Sequence, residues 1–270
     1  SASFVSLRPS EVRDIAGIAV FRRGLTGSNV DVPNGVRVIN NTVSGFIQDN
    51  GASASEGFGI VIEGINHTVT GNIVSSNDVG LQQQAGHTPY PGDGDQSNLP
   101  DTYFGRGNSP MTCGNTVTPN NLTNPINTRN VGVGAGLVIN TNTSENFCSI
   151  QSAIDDANTV ASHTISVTAG TYNEDVLINK DLTLQGAGID VTTVSGPIGG
   201  GSATFQVGAS GVTIDGFTIT RDGNNTTDWN NPSLNIPGIA IQGQTVNAEI
   251  RNNKIIGNRT GIDINNSNSN

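Results

Sequence analysis

An all-β solenoid of short stacked strands is the fold class that the sequence predicts, and three observations predict it. The first is composition. Gly accounts for 35 of 270 residues, aromatics for 4% and charged residues for 13%. Asn, Thr, Ser, Val and Ile are abundant, while the Lys, Glu and Leu that fill ordinary helices are scarce, which suits many short strands joined by tight turns. The second is an internal repeat of aliphatic and Asn positions. The third is a stretch over 147–188 in which one short helical pattern leads into strand patterns.

Taken in order, residues 1–30 carry the weakest signals. Pro9-Ser10-Glu11 marks a short helix start and Ile18-Ala19-Val20-Phe21 a strand. From Gly35 a rhythm begins. Val38-Ile39-Asn40-Asn41-Thr42-Val43, Val69-Thr70-Gly71-Asn72-Ile73-Val74 and Ile250-Arg251-Asn252-Asn253-Lys254-Ile255 each place an aliphatic residue three before an Asn and another two after it. Ile214-Asp215-Gly216-Phe217-Thr218-Ile219 repeats the pattern with Phe in the Asn slot. Asn72 is followed by Asn77, Gly80 and Leu81, and Asn253 by Asn258, Gly261 and Ile262 at the same spacing. Matched offsets in distant segments are the mark of a repeat architecture. In a solenoid the strands of one turn stack on the next at about 4.8 Å. A corner Asn can then hydrogen-bond the Asn above and below it, and it tolerates the left-handed backbone of a sharp bend. Asn41, Asn72 and Asn253, with Asn77 and Asn258 and the glycines Gly80 and Gly261, are the expected ladder.

Two stretches break the rhythm. Residues 82–146, rich in Pro, Gly, Asn and Asp, read as a long excursion that returns as a strand at Val131–Ile139. Residues 221–237 read as a shorter one. Between them, Ile150, Ala153, Ile154 and Ala157 recur at helical spacing behind a capping Ser149, giving a helix near 149–161. Ile165, Val167 and Ala169 then alternate with polar residues as a strand, Val176-Leu177-Ile178 and Leu182-Thr183-Leu184 follow as strands, and Gly186-Ala187-Gly188 ends the run. A helix at the head of a strand stack covers an otherwise open edge and apolar cross-section.

The run SIQSAIDDAN…ISVTAGTYNEDVLINKDLTLQGAG resembles the opening of a right-handed parallel β-helix of the pectin-lyase-like superfamily. The resemblance implies that fold, with a short capping α-helix. It implies either a polysaccharide-active enzyme or a non-catalytic bacterial surface protein. It also sets a domain reading: residues 1–146 as the closing coils of one β-helix, with the excursion at about 82–146, and residues 147–270 as the start of another, continuous with a following repeat or subunit.

The enzymes of that superfamily require motif sets that do not match here. Asp155-Asp156 is the one Asp-Asp and lies on the predicted helix. Asp215, Glu249, Arg251 and Asp263 read as solvated strand-face charges. His67, His87 and His163 share no metal-ligand spacing. No catalytic residue is therefore assigned. Two loops offer oxygen side chains at alternate positions, as a hard cation requires: Asp222, Asn224, Thr226 and Asp228, and more sparsely Asp93, Asp95 and Asp101. Ca²⁺ is thus a candidate ligand, and no cofactor is required. Asn40, Asn66, Asn121, Asn142, Asn224, Asn225, Asn258 and Asn265 match the Asn-x-Ser/Thr acceptor pattern.

A net charge of −10 argues against nucleic acid as a partner, since phosphate contacts need clustered Lys and Arg. No apolar run approaches the length of a membrane span. Ser1 begins in polar sequence, so either a leader has been removed or the chain is a piece of a longer one. Cys113 and Cys148 flank a loop-rich segment and are candidates for a disulfide, with free thiols the alternative. The residue balance suits an exported, cell-surface protein. The expected function is structural and non-catalytic, with assembly head to tail on copies of itself or as one period of a tandem array. The alternative is a polysaccharide-binding or polysaccharide-degrading β-helix, for which Tyr90 and Trp229 are the loop aromatics.

Overall fold

The structure, a computed structural model, describes residues 15–20, 32–47, 56–85, 111–197, 203–222, 236–242 and 247–265. The chain is all-β with parallel sheets and divides into two compact units, Ser1–Gly134 and Ala135–Asn270.

The first unit carries β1 (Ile15–Val20), β2 (Arg37–Ile39), β3 (Thr42–Ser44), β4 (Gly57–Ile62), β5 (Gly64–Ile65), β6 (Thr68–Thr70), β7 (Ile73–Ser75), β8 (Val79–Gln84), β9 (Thr112–Cys113), β10 (Asn121–Thr123) and β11 (Ile126–Val131). They form the sheets β1-β4-β8-β11, β3-β7-β10, β2-β6 and β5-β9. Every pair is parallel. Strands adjacent in sequence therefore lie in different sheets, and each pairs with a strand several elements later. Parallel neighbours need such crossovers. Val38, Val43, Ile60, Ile62, Val69, Val74 and Leu81 are buried together as the core. Val38 opposes Val69, and Val43 opposes Val74, so like side chains stack on like.

Part of the expected excursion belongs to this unit. Within 82–146, β9, β10 and β11 pair with β5, β7 and β8, and residues 82–84 complete β8. The return strand is β11, ending where Val131–Ile139 was expected to start it. Asn and Pro mark turns between very short strands as readily as they mark a loop, and the density of turn residues hid the strands.

The second unit carries β12 (Val138–Asn140), β13 (Glu145–Phe147), α1 (Ile150–Asp155), β14 (His163–Val167), β15 (Gly170–Tyr172), β16 (Val176–Ile178), β17 (Leu182–Gly186), β18 (Thr192–Gly196), β19 (Phe205–Val207), β20 (Val212–Asp215), β21 (Thr218–Arg221), β22 (Ile239–Gln242), β23 (Ala248–Arg251), β24 (Lys254–Ile255) and β25 (Ile262–Asn265). From β14 onward each strand pairs in parallel with the third one after it, giving β14-β17-β20-β23, β15-β18-β21-β24 and β16-β19-β22-β25. The register builds continuous apolar stacks: Ile165, Leu184, Ile214 and Ile250 on one sheet, Tyr172, Val194, Ile219 and Ile255 on the second, and Val176, Phe205, Ile239 and Ile262 on the third. Phe205 and Phe217 meet edge to face, with centroids 5.5 Å apart.

The two ends of this stack differ. At its start β12 runs antiparallel to both β13 and β14, and α1 buries Ile150, Ala153 and Ile154 in the core. Ser149 caps α1 by accepting from Ser152 N. Glu174 accepts from the Ile150 and Gln151 N–H groups at 2.8 and 2.9 Å. Lys180 Nζ donates to the Ile154, Asp156 and Thr159 carbonyls at 2.6, 3.0 and 2.8 Å. The helix is shorter than the expected 149–161, since Asp156 leaves helical geometry at ψ 139° and Ala157 is exposed. The carbonyls released there are the ones Lys180 takes, so a strand-side ammonium replaces the missing helical turn. Lys180→Met removes three charge-assisted bonds from half-buried carbonyls and is expected to cost about 2 kcal/mol, measured as a lower midpoint in urea unfolding of the second unit.

Candidate functional site

The corners between strands carry a chain of side-chain hydrogen bonds with a constant direction. Asn41 donates its backbone N–H (2.9 Å) and its Nδ2 (3.0 Å) to Asn72 Oδ1. Asn72 does the same to Asn120 Oδ1, at 2.9 Å for both, and its Nδ2 also reaches Val38 O. Asn120 Nδ2 closes on Val69 O and Val117 O. A second ladder runs from Phe46 N to Asn77 Oδ1 and from Asn77 N and Nδ2 to Asn124 Oδ1, each at 3.0 Å. In each step onto an Asn Oδ1 the residue earlier in the chain donates and the later side chain accepts, while the Nδ2 of Asn72 and that of Asn120 return to a carbonyl of the earlier layer. Asn72 and Asn77 are buried, so their own N–H groups need the partners that Asn120 and Asn124 supply.

A third ladder uses a histidine. Val36 N donates to His67 Nδ1 at 3.0 Å, His67 Nε2 lies 2.8 Å from Glu63 O, and His67 N donates to Asn115 Oδ1 at 2.8 Å. An acceptor at Nδ1 and a donor at Nε2 define the neutral ring. Burial holds the His67 pKa below the usual imidazole range, against the raising effect of its bond to Glu63 O.

In the second unit Asn253 Oδ1 accepts from Phe217 N at 2.9 Å, and Asn253 Nδ2 donates to Ile214 O at 2.8 Å. The Phe217 side chain goes to the core while its N–H keeps its place in the ladder. Asn258 Nδ2 donates to Ile219 O and Ile256 O. The remaining ladder glycines take their places on strands: Gly80 lies in β8, and Gly261 directly precedes β25.

Two buried ionic networks brace the sheets. In the first unit Arg129 on β11 makes paired contacts to Glu56, at 2.9 Å and 2.5 Å, donates through Nε to Gln82 and lies over the Phe58 ring. Gln82 bonds Gln84, and Gln84 bonds the fully buried Glu63. In the second unit Arg221 Nη1 reaches Pro197 O at 2.6 Å and its Nη2 reaches Asp175 at 2.7 Å. Burial raises the Asp175 pKa, and Arg221 pulls it back. Burial likewise raises the Glu174 carboxyl, opposed by the Gln151 and Ile150 N–H groups. Carboxylates, amides and an arginine are types a carbohydrate site would use. Here the Arg129 side chain is 7% exposed and that of Arg221 is fully buried; Arg129 links β11 to Gln82 on β8, and Arg221 ties β21 to Asp175 and Pro197. On the surface Arg251 bridges Asp215 and Glu249 at 3.0 and 3.1 Å. The bond from Asn252, then that from Arg251, lowers the Asp215 pKa.

Of the cation candidates, Asp222 donates its N–H to Gly196 O. Asn224, Thr226, Asp228, Asp93, Asp95 and Asp101 lie outside the described residues, as do Tyr90 and Trp229. Among the described residues no cluster of three or more His, Cys, Asp or Glu is disposed to hold a metal. Cys113 and Cys148 are each disulfide-bonded. Among the described residues no helix is long and apolar enough to cross a membrane. Reading the sequence alone missed His67, Asn115, Asn120, Asn124 and the pairs Arg129–Glu56 and Arg221–Asp175. A signal for Asn120 was present, since Val117 precedes it by three residues and Leu122 follows by two.

No family model matches the chain, and no solved structure matches it. A cell surface glycoprotein of Methanothermus fervidus is 40% identical over 86 residues, which is 32% of this chain and 14% of that protein. The chain thus matches only about one seventh of that relative's length.

If His67 stands in for a ladder asparagine, His67→Asn keeps most of the stability and His67→Ala loses about 2 kcal/mol. The pKa of His67 is depressed in the folded state. Its contribution is therefore whole above about pH 6.5, the unfolded value, and is lost as pH falls toward the lower folded value. Urea unfolding of the first unit at a series of pH values should show this acid loss, and His67→Asn should flatten it.

Proposed function

We propose that this is a non-catalytic structural protein of the cell surface, built as a right-handed parallel β-helix that assembles end to end through open strand layers or serves as one period of a tandem array. The observation that carries the reading is the contrast between the two ends of the second unit. Its start is covered by an antiparallel strand and a helix. At its other end Ile262 and Ile264 are 41% and 67% exposed, whereas their register partners Ile239 and Ile241 are 0% and 8%. A regular parallel stack with such an edge invites another strand layer. The every-third-strand pairing supports the β-helix form, and the resemblance of the 147–188 stretch supports the right-handed sense. The cell-surface assignment is supported by the name of the partial relative. In this reading the fibre needs no cofactor, and its partner is itself. Contacts between unlike ends that do not close into a ring give filaments. Negative-stain electron microscopy over rising protein concentration should show rods that lengthen. Particles of a single size at every concentration would contradict end-to-end assembly. Chelation with EGTA should leave the melting temperature unchanged, and a large drop would instead assign Ca²⁺ a structural role.

A further inference from the structure

The Asn-x-Ser/Thr acceptor patterns are a sequence motif that the ladders leave unused, and the repeat decides where they fall. The ladder asparagines are followed two residues later by an aliphatic residue, as with Val43 after Asn41, Val74 after Asn72, Val79 after Asn77, Leu122 after Asn120 and Ile255 after Asn253. An acceptor pattern needs Ser or Thr at that place, so these asparagines are kept out of it. Two doublets show the division. In Asn40-Asn41 and Asn120-Asn121 one member serves the ladder. The other is exposed and has Thr42 or Thr123 two residues on.

An Asn amide carries two Nδ2 hydrogens and an accepting oxygen. A sugar attached at Nδ2 replaces one hydrogen and leaves Oδ1 in place. Among the described residues the Asn40 and Asn121 side chains make no hydrogen bond, so both hydrogens are free. Asn66 is exposed at φ 58° and spends one hydrogen on Asn34 Oδ1 at 3.2 Å. Asn142 is exposed and uses only Oδ1, which takes the Thr164 N–H at 2.8 Å. Asn258 differs. It is half-buried, and its Nδ2 is committed to Ile219 O and Ile256 O at 3.2 and 2.9 Å. Asn224 and Asn225 lie outside the described residues, as does the side chain of Asn265. In the first unit the three permitted sites lie together. Asn40 joins β2 to β3, Asn66 directly precedes His67 and β6, and Asn121 opens β10. Alternation along β10 turns Asn121 and Thr123 to the same outward side, while Leu122 packs on the core. Thr42, Ile73 and Asn121 are neighbours in register, all exposed, and Ile73 is 49% so. An aliphatic side chain thus lies bare between the hydroxyl of one acceptor pattern and the asparagine of another.

We propose that the first unit is N-glycosylated along the side made by β2-β6 and β3-β7-β10, at Asn40, Asn66 and Asn121. Asn142 is the permitted site of the second unit, and Asn258 stays bare. The donor is a sugar linked through C1 to a pyrophosphate, used by a separate transferase. The Nδ2–C1 bond forms as the C1–O bond breaks, the pyrophosphate leaves with the electron pair, and the displaced amide proton passes to a base of the transferase. Sugars here add bulk and solubility to the surface, and one at Asn121 has Ile73 to cover. The test is glycopeptide mass mapping of the whole chain isolated from the cell that makes it, with variants expressed in that same cell. The proposal expects glycans on Asn40, Asn66, Asn121 and Asn142 and an unmodified Asn258. Thr123→Ala, which keeps Asn121 but removes the hydroxyl at an exposed position, should lose the mass of one glycan with the urea midpoint little changed. Thr123→Ser should retain it. Bare Asn40, Asn66 and Asn121 would overturn the proposal, and an unchanged mass in Thr123→Ala would overturn Asn121 as an acceptor. Asn258 occupied as fully as Asn121 would overturn selection by the folded geometry and assign transfer to the chain before it folds.

Discussion

The structure depends on satisfying the corner N–H groups that point along the stack. Strands of two to six residues turn so often that many backbone donors fall outside the strand ladders. Each would cost about 1–3 kcal/mol if buried without a partner. An asparagine in the following layer answers this with one side chain, its Oδ1 taking the N–H above and its Nδ2 returning to a carbonyl. Asn72 does both at once. The bond also sets register, because a shift of one residue would move Asn72 away from Asn41 and turn Val69 and Val74 out of the core.

That requirement gives the stack a polarity, and polarity makes its two ends unlike. The layer that begins the second unit must stop the ladder, which β12 does by running antiparallel and α1 by covering the core. Glu174 and Lys180 then hold a six-residue helix that its own hydrogen bonds would not sustain. Among the described residues nothing comparable covers Ile262 and Ile264. The buried charges of Arg129 and Arg221 are spent on contacts within the protein, to Glu56 and Gln82 and to Asp175 and Pro197.

The strand patterns over 163–186, Ser149 as a cap and the places of Asn41, Asn72 and Asn253 could be read from the chain because each obeys a short-range period or a fixed offset. Phe217 was legible as the odd member of the same series. The strands of 111–131 were not. Asn120 and Asn124 are four apart where Asn72 and Asn77 are five apart, so a one-residue shortening broke the matched spacing while the hydrogen bonds survived it. His67 escaped because its role depends on ring geometry that no sequence period marks. The helix was drawn too long because Ala157 keeps the apolar spacing, whereas Lys180, far along the chain, decides where the helix stops. The two salt bridges join residues 73 and 46 positions apart, a separation at which sequence pattern carries no information.

The central claim is that asparagine side chains from one layer hold the corner amides of the layer before. Residue-resolved hydrogen exchange tests it most directly. The account predicts that the backbone amides of Asn41, Phe46, Asn72, Asn77 and Phe217 exchange as slowly as those of the strand residues Val74 and Ile214. Exchange of these five at the rate of open loops, with the strands still protected, would contradict it.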